Sequence, residues 1–256
     1  MSGAALKCRG QVPWAGQYRQ RPTILGEFAL LLMFRTLALP TLLRPSCAVC
    51  SLAPGPLCPD CEADFFPASR LRCVVCAIPL QGADAICGRC LASRPHFERT
   101  IALADYVPPV DGMVTALKFG ARLDLASMFG RLLARRAPPE QGAIVVAVPL
   151  AFERMSERGF NQSVQIARAY CADTGACLAT DIVRRVRHAP PQQVLTLDER
   201  RRNIRGAFAA SGDIDGRDLL VVDDVMTSGS TMDEIARVLA AAGAARIRAL
   251  VVARTP

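Results

Sequence analysis

VVDDVMTSGSTMDE, residues 221–234, places two adjacent carboxylates, Asp223 and Asp224, between an apolar run and a small hydroxyl-rich turn. Leu219 to Val222 read as a buried strand, and Thr231 to Ala242 as a helix closed by Gly243. Between them, Thr227-Ser228-Gly229-Ser230-Thr231 offers backbone N–H groups and hydroxyls at a helix N-terminus, the usual cradle for a phosphate. Carboxylates would repel that phosphate, but they accept hydrogen bonds well from a vicinal diol. A ribose 5-phosphate satisfies both halves. No lysine follows Gly229, which rules out a Walker A loop. A receiver domain, which opens on a comparable acidic pair, would need far more chain after Asp224. A capped strand–turn–helix without a ligand would account for Ser230 and Thr231 as caps. It leaves two carboxylates unexplained at the carboxyl end of a strand, where open α/β sheets bind ligands.

Outward from that stretch, the second half of the chain alternates short apolar strands with longer helical segments, as in an α/β protein with a parallel sheet. Strands are expected at 101–106, 144–148, 219–222 and 247–253. Helices are expected at 111–119, 125–134, 161–172 and 231–242, with Asn161 as an N-cap. The preceding residues are rich in Cys, Pro and turn formers. Four C-x2-C pairs lie there: Cys47/Cys50, Cys58/Cys61, Cys73/Cys76 and Cys87/Cys90. Cys8, Cys171 and Cys177 stand apart. Two thiolate pairs make one tetrahedral zinc site, so four pairs make two. Sequential pairing is simplest, although spacing leaves a crossed arrangement open. Free or redox-active thiols are the alternative, without the surroundings of a thioredoxin-like motif. Four thiolates leave no open position for a catalytic water, so the zinc is expected to be structural. A module of this size needs such a metal to fold.

The chain has 256 residues, a net charge of +8 and 51% hydrophobic residues, enough for a sizeable core and an accessory module. Its basic excess is uneven. Residues 1–46 hold six Lys/Arg against Glu27 alone, so the charge is weak evidence for a nucleic-acid surface on the core. FALLLMFRTLALPTLL (28–43) is interrupted by Arg35 and Pro40 and is too short for a membrane span. It reads as an amphipathic helix, Met33 is a candidate alternative start, and no signal peptide is recognised. The organisation expected is a partly disordered N-terminal extension at 1–46, a double zinc-ribbon module at 47–94 and a catalytic-type α/β domain at 100–256.

With these residues in view, VVDDVMTSGST resembles the phosphoribosyl pyrophosphate (PRPP) motif of the type I phosphoribosyltransferases. LKFG (117–120), VPL (148–150), RGFNQ (158–162) and PQQVLTLDERRRNIRGAF (191–208) precede it in order behind the cysteine pairs. Together they are similar to the ComF (competence protein F) family, over roughly residues 40–254. The resemblance implies a type I phosphoribosyltransferase fold, a central, mainly parallel sheet flanked by helices, behind a small zinc-ribbon module. It implies PRPP binding by Asp223, Asp224, Val225, Met226, Thr227, Ser228, Gly229, Ser230 and Thr231. The two aspartates would act in catalysis on the ribose and its developing positive charge. Mg²⁺ would accompany PRPP. Pyrophosphate would sit at Pro149 and Leu150, with Arg158 and then Lys118 as cationic candidates. A helix-face role is the alternative for Lys118. Arginines 184, 185, 187, 200, 201, 202 and 205 form either a basic flap or a solvated loop, and His188 is equally a surface or a catalytic residue. Candidate partners are single-stranded DNA, competence-machinery proteins and a second copy of the chain, in a cytoplasmic protein. An ordinary purine or pyrimidine salvage enzyme, and a nucleic-acid-binding adaptor with a regulatory PRPP pocket, remain as alternative functions.

Overall fold

The structure is a computed structural model describing residues 46–82, 84–187 and 204–256. The 28–43 segment, Met33, His188 and Arg200 to Arg202 lie outside the described residues. Two short helices, α1 (Pro59–Phe65) and α2 (Gly88–Ala92), belong to the Cys-rich region. Then follow β1 (Arg99–Asp105), α3 (Val110–Phe119), α4 (Leu123–Arg136), β2 (Ile144–Ala147), α5 (Phe152–Arg158) and α6 (Gln162–Thr174). The chain continues through β3 (Cys177–Ala179), β4 (Val183–Arg185), β5 (Phe208–Ala210), β6 (Asp218–Met226), α7 (Ser230–Ala241) and β7 (Arg246–Arg254).

Five strands form one parallel sheet in the order β1-β7-β6-β2-β3, while β4 and β5 make a separate antiparallel pair. Because every strand of the sheet runs the same way, their carboxyl ends share one edge, where such sheets place ligands. The central strands are apolar on both faces, as burial between two layers demands. Along β6, Leu219 and Val221 join one core with Ile235 and Leu239 of α7, and Leu220 and Val222 join the other with α3, α4 and α6. The layer of α4 on α6 is close: a Cβ on Gly130 would stand 2.6 Å from the Ile166 carbonyl oxygen.

The Cys-rich module straddles the β1 side of the sheet. Val75, Ala77 and Phe97 enter the α7-side core, while Phe66 enters the opposite one, its ring centroid 6.2 Å from that of Phe129. Polar contacts secure both halves. Arg135 pairs with Glu62 at 2.5 Å, and Arg70 and Arg72 pair with buried Asp105 at the end of β1, at 2.5 and 2.7 Å. The module therefore covers part of both cores rather than hanging from a linker.

One expectation is corrected. The strand read as Leu219 to Val222 continues to Met226, so Asp223 and Asp224 lie within β6. Its neighbour β7 is equally long, and pairing persists through Asp223↔Val251, Val225↔Ala253 and Met226↔Arg254. The following helix has no side-chain cap from Ser230 or Thr231. Gly229 takes the N-cap position with φ +83°, a left-handed conformation that favours glycine.

Candidate functional site

Asp223 and Asp224 follow one another in β6 and meet different partners. Ser163 Oγ donates to Asp223 Oδ1 at 2.9 Å, and the Asp224 N–H donates to the same oxygen at 2.9 Å. Asp224 is buried and its Oδ2 is paired with Lys118 Nζ from the last turn of α3. Burial, and then the adjacent Asp224 carboxylate, pushes the Asp223 carboxyl well above the usual range. The ligand-free site thus resists holding two full negative charges.

The RGFNQ segment acts as a clasp. Asn161 caps α6, accepting from the N–H groups of Ser163 (2.9 Å) and Val164 (3.3 Å), and its Nδ2 donates to the Val148 carbonyl at 2.9 Å. One side chain therefore joins the exit of β2, which leads into Pro149 and Leu150, to the helix whose first turn supplies Ser163. Arg158 is the last residue of α5. Gly159, with φ +74°, reverses the chain behind it. The Arg158 guanidinium donates to Gln162 Oε1 at 3.1 Å and lies 4.9 Å above the Phe119 ring. Lys118 and Arg158 line one cavity of about 130 Å³ with Phe119 and Glu157. Two cations from separate motifs, LKFG and RGFNQ, are thereby brought together beside the acidic pair.

The turn after β6 is ordered by its own hydroxyls, with Ser228 Oγ and Ser230 Oγ 2.8 Å apart and Ser230 N–H reaching Ser228 Oγ at 3.3 Å. Ser228, Gly229 and Ser230 border a second cavity of about 380 Å³, whose far wall is Arg89, His96 and Phe97 of the Cys-rich module. Among the arginines, Arg184 and Arg185 lie on β4 and Arg187 just beyond it. Arg185 stacks 5.7 Å from the Phe208 ring centroid, so that arginine belongs to the stem of the β4–β5 pair. Arg205 borders the larger cavity. The basic segment between the stem strands falls outside the described residues from 188 to 203.

The cysteines gather sequentially, as Cys47, Cys50, Cys58 and Cys61, and as Cys73, Cys76, Cys87 and Cys90, with all sulfurs of a group within 4.8 Å of one another. The crossed pairing that spacing left open is not the one formed. Backbone N–H groups of Cys58 and Cys87 point at the sulfurs of Cys47 (3.4 Å) and Cys73 (3.3 Å). Such donors favour thiolates, which lowers Cys47 to about 6 and Cys73 to about 7 against the opposing effect of burial. Two groups of four cysteines with this donor set fit zinc.

Sequence reasoning missed Ser163, α5, the β3–β5 strands and Arg254. Ser163 could have been found, since it follows the RGFNQ motif at the second position of a capped helix. Strands of three residues carry no usable periodicity.

An acidic pair inside a parallel strand, a glycine-turned hydroxyl loop behind it and two converging cations meet at the carboxyl edge of the sheet. The Phosphoribosyl transferase domain family matches residues 128–256, and the chain belongs to that family, in its ComF-like branch. It is 35% identical over 196 residues to the DNA utilization protein YhgH of Escherichia coli (strain K12), covering 73% of this chain and 85% of that one. It is 28% identical over 218 residues to Competence protein F of Haemophilus influenzae, covering 79% of this chain and 92% of that one. Among the described residues, no helix is long and apolar enough to cross a membrane.

Proposed function

We propose that the chain binds PRPP and transfers its phosphoribosyl group, with release of pyrophosphate, in the handling of DNA or its components. The observation that carries this reading is the Asp223–Asp224 pair set directly before the Thr227–Thr231 turn, with Lys118 and Arg158 converging on it. The turn receives the 5-phosphate through backbone N–H groups and hydroxyls. The two aspartates accept hydrogen bonds from the ribose hydroxyls. In transfer, the C1–O bond to pyrophosphate breaks as a bond from C1 to the acceptor forms, and positive charge grows on the ring. The fixed carboxylates stabilise that charge more in the transition state than in the ground state. Lys118 and Arg158 neutralise the departing pyrophosphate beside Pro149 and Leu150. Mg²⁺ suits the oxygen donors of this site and would screen the pyrophosphate charge. The names of the relatives support a DNA-utilisation or competence setting, and leave the acceptor open. The two groups of four cysteines hold structural zinc.

Calorimetric titration with PRPP and Mg²⁺ tests the reading. Wild-type protein is expected to bind, and Asp224→Asn to bind roughly 10- to 100-fold more weakly, the size expected for lost charged hydrogen bonds. Absence of wild-type binding would sink the proposal. A pyrophosphate-release screen across purine and pyrimidine bases then identifies the acceptor.

The raised Asp223 carboxyl gives a second expected result. Its ionised form is disfavoured in the folded chain, so it lowers stability at neutral pH. That cost is relieved as pH falls through the raised value toward the ordinary 3.8. Asp223→Asn should therefore raise the urea midpoint of the ligand-free protein at pH 7. The gap between variant and wild type should narrow on acidification. A gap that is constant with pH contradicts this account.

A further inference from the structure

The second cysteine group and the sugar-phosphate turn share one buried cation. Arg254, the last residue of β7, is only 2% exposed. Its Nε donates to the Cys76 carbonyl at 2.9 Å, and its Nη1 reaches the carbonyls of Met226 at 3.0 Å and Thr227 at 2.5 Å. Cys76 belongs to the second cysteine group, while Met226 and Thr227 lead directly into the turn at 227–231. A second tie runs in parallel. His96, beyond the second group, donates its backbone N–H to Asp233 Oδ1 at 2.8 Å, and its ring Nδ1 lies 2.9 Å from the same oxygen in the first turn of α7. The cavity beside the turn closes the circuit, with Cys76, Cys90 and Arg89 on one wall and Ser228 to Ser230 on the other.

The first cysteine group has no such link among the described residues. Its neighbourhood is fastened to α4, through Arg135 to Glu62 and through Arg136, whose guanidinium donates to the carbonyls of Phe66 (2.8 Å) and Pro67 (3.3 Å). The two groups therefore sit in different mechanical settings, although their cysteine spacing is alike.

From this geometry we infer that Arg254 is a positioning residue that makes metal binding at the Cys73/Cys76/Cys87/Cys90 group and sugar-phosphate binding at the 227–231 turn mutually reinforcing. Metal in the second group fixes the Cys76 carbonyl. That carbonyl orients the Arg254 guanidinium, and the guanidinium holds the Met226 and Thr227 carbonyls so that the turn keeps its phosphate-binding shape. By reciprocity, a ligand that orders the turn tightens the second group's hold on its metal and leaves the first unaffected. The ligand half of this inference rests on the PRPP reading above; the order of the turn does not.

Hydrogen exchange on the full zinc-loaded chain tests the ligand-independent half. Cys76→Ser, which opens the second group, should speed exchange of the amides at 227–231 about tenfold, within the span of ordinary site-to-site coupling. Cys50→Ser, which opens the first group, should change them less than about twofold by the same measure. Arg254→Lys keeps the charge but loses the planar fork. It should speed the turn while the second group retains zinc by native mass spectrometry, an outcome a purely structural role in the metal site would not produce. Equal exchange in wild type and Cys76→Ser, or equal acceleration in both cysteine variants, overturns the inference.

The reciprocal half uses wild-type protein alone. Saturating PRPP with Mg²⁺ should slow alkylation of Cys73, Cys76, Cys87 and Cys90 about tenfold relative to the first group, read by peptide mass spectrometry. Unchanged ratios with PRPP shown to be bound overturn it. If PRPP does not bind, the functional reading fails, and the exchange experiment still decides whether Arg254 couples the second group to the turn.

Discussion

Removal of zinc from the full chain should lower its melting temperature by more than about 10 °C, a loss of about 5 kcal/mol or more for a protein of this size. The effect is large because the turns carrying the cysteine groups hold apolar side chains in both cores. Val75, Ala77 and Phe97 are buried on the α7 side, and Phe66 packs near Phe129 on the other. A region with two five- to seven-residue helices and two isolated bridges has little else to keep those side chains in place. Without metal, eight thiols would also have to be accommodated in two tight groups, six of them at residues that are buried. Loss of the module then exposes the β1 edge and parts of both sheet faces. Chelation followed by thermal denaturation, with zinc add-back as control, measures this. A melting temperature unaffected by chelation would mean that the module contributes little to the cores it covers.

Gly130→Leu should cost about 3 kcal/mol, the upper end for overpacking a core. A Cβ at this position meets Ala169 Cβ at 2.5 Å, the Ile166 carbonyl oxygen at 2.6 Å and the Tyr170 nitrogen at 2.8 Å. Two of these are backbone atoms of α6, so no rotamer change relieves the contact, and α4 must move away. Even Gly130→Ala should destabilise, because this crowding outweighs the gain of about 1 kcal/mol in helix propensity. Gly112→Ala in α3 is the matched control. Nothing lies within 4 Å of its added Cβ, and the propensity gain should appear there. Because α6 carries Ser163 to Asp223, displacement of that helix should weaken sugar-phosphate binding as well. Urea denaturation gives the first effect and calorimetry the second. A Gly130→Leu protein as stable as wild type would show that the α4–α6 crossing can open freely.

Local chemistry explains what could be read directly from the residues. The strand–turn–helix at 219–242 carries its own signals, namely an apolar run, a glycine that can turn with positive φ, and small polar residues. The same holds for four C-x2-C pairs, each of which closes on itself within one turn. Long apolar elements such as β7 and α4 were found for the same reason, with ends shifted by one or two residues. β6 grew further than its apolar run because hydrogen bonds to β7 carried the two aspartates into the strand, and an acidic pair gives no hint of that pairing.

The sequence by itself thus determined the hydroxyl-rich turn, its acidic pair and the four C-x2-C pairs, all written in contiguous residues. Tertiary structure alone decided their partners. Lys118 meets Asp224, Ser163 meets Asp223 and Arg254 meets Cys76, the last across 178 positions. No spacing rule reaches that far. These contacts exist because a parallel sheet brings the carboxyl ends of distant strands to one edge, and because the Cys-rich module buries apolar side chains against both faces beside it.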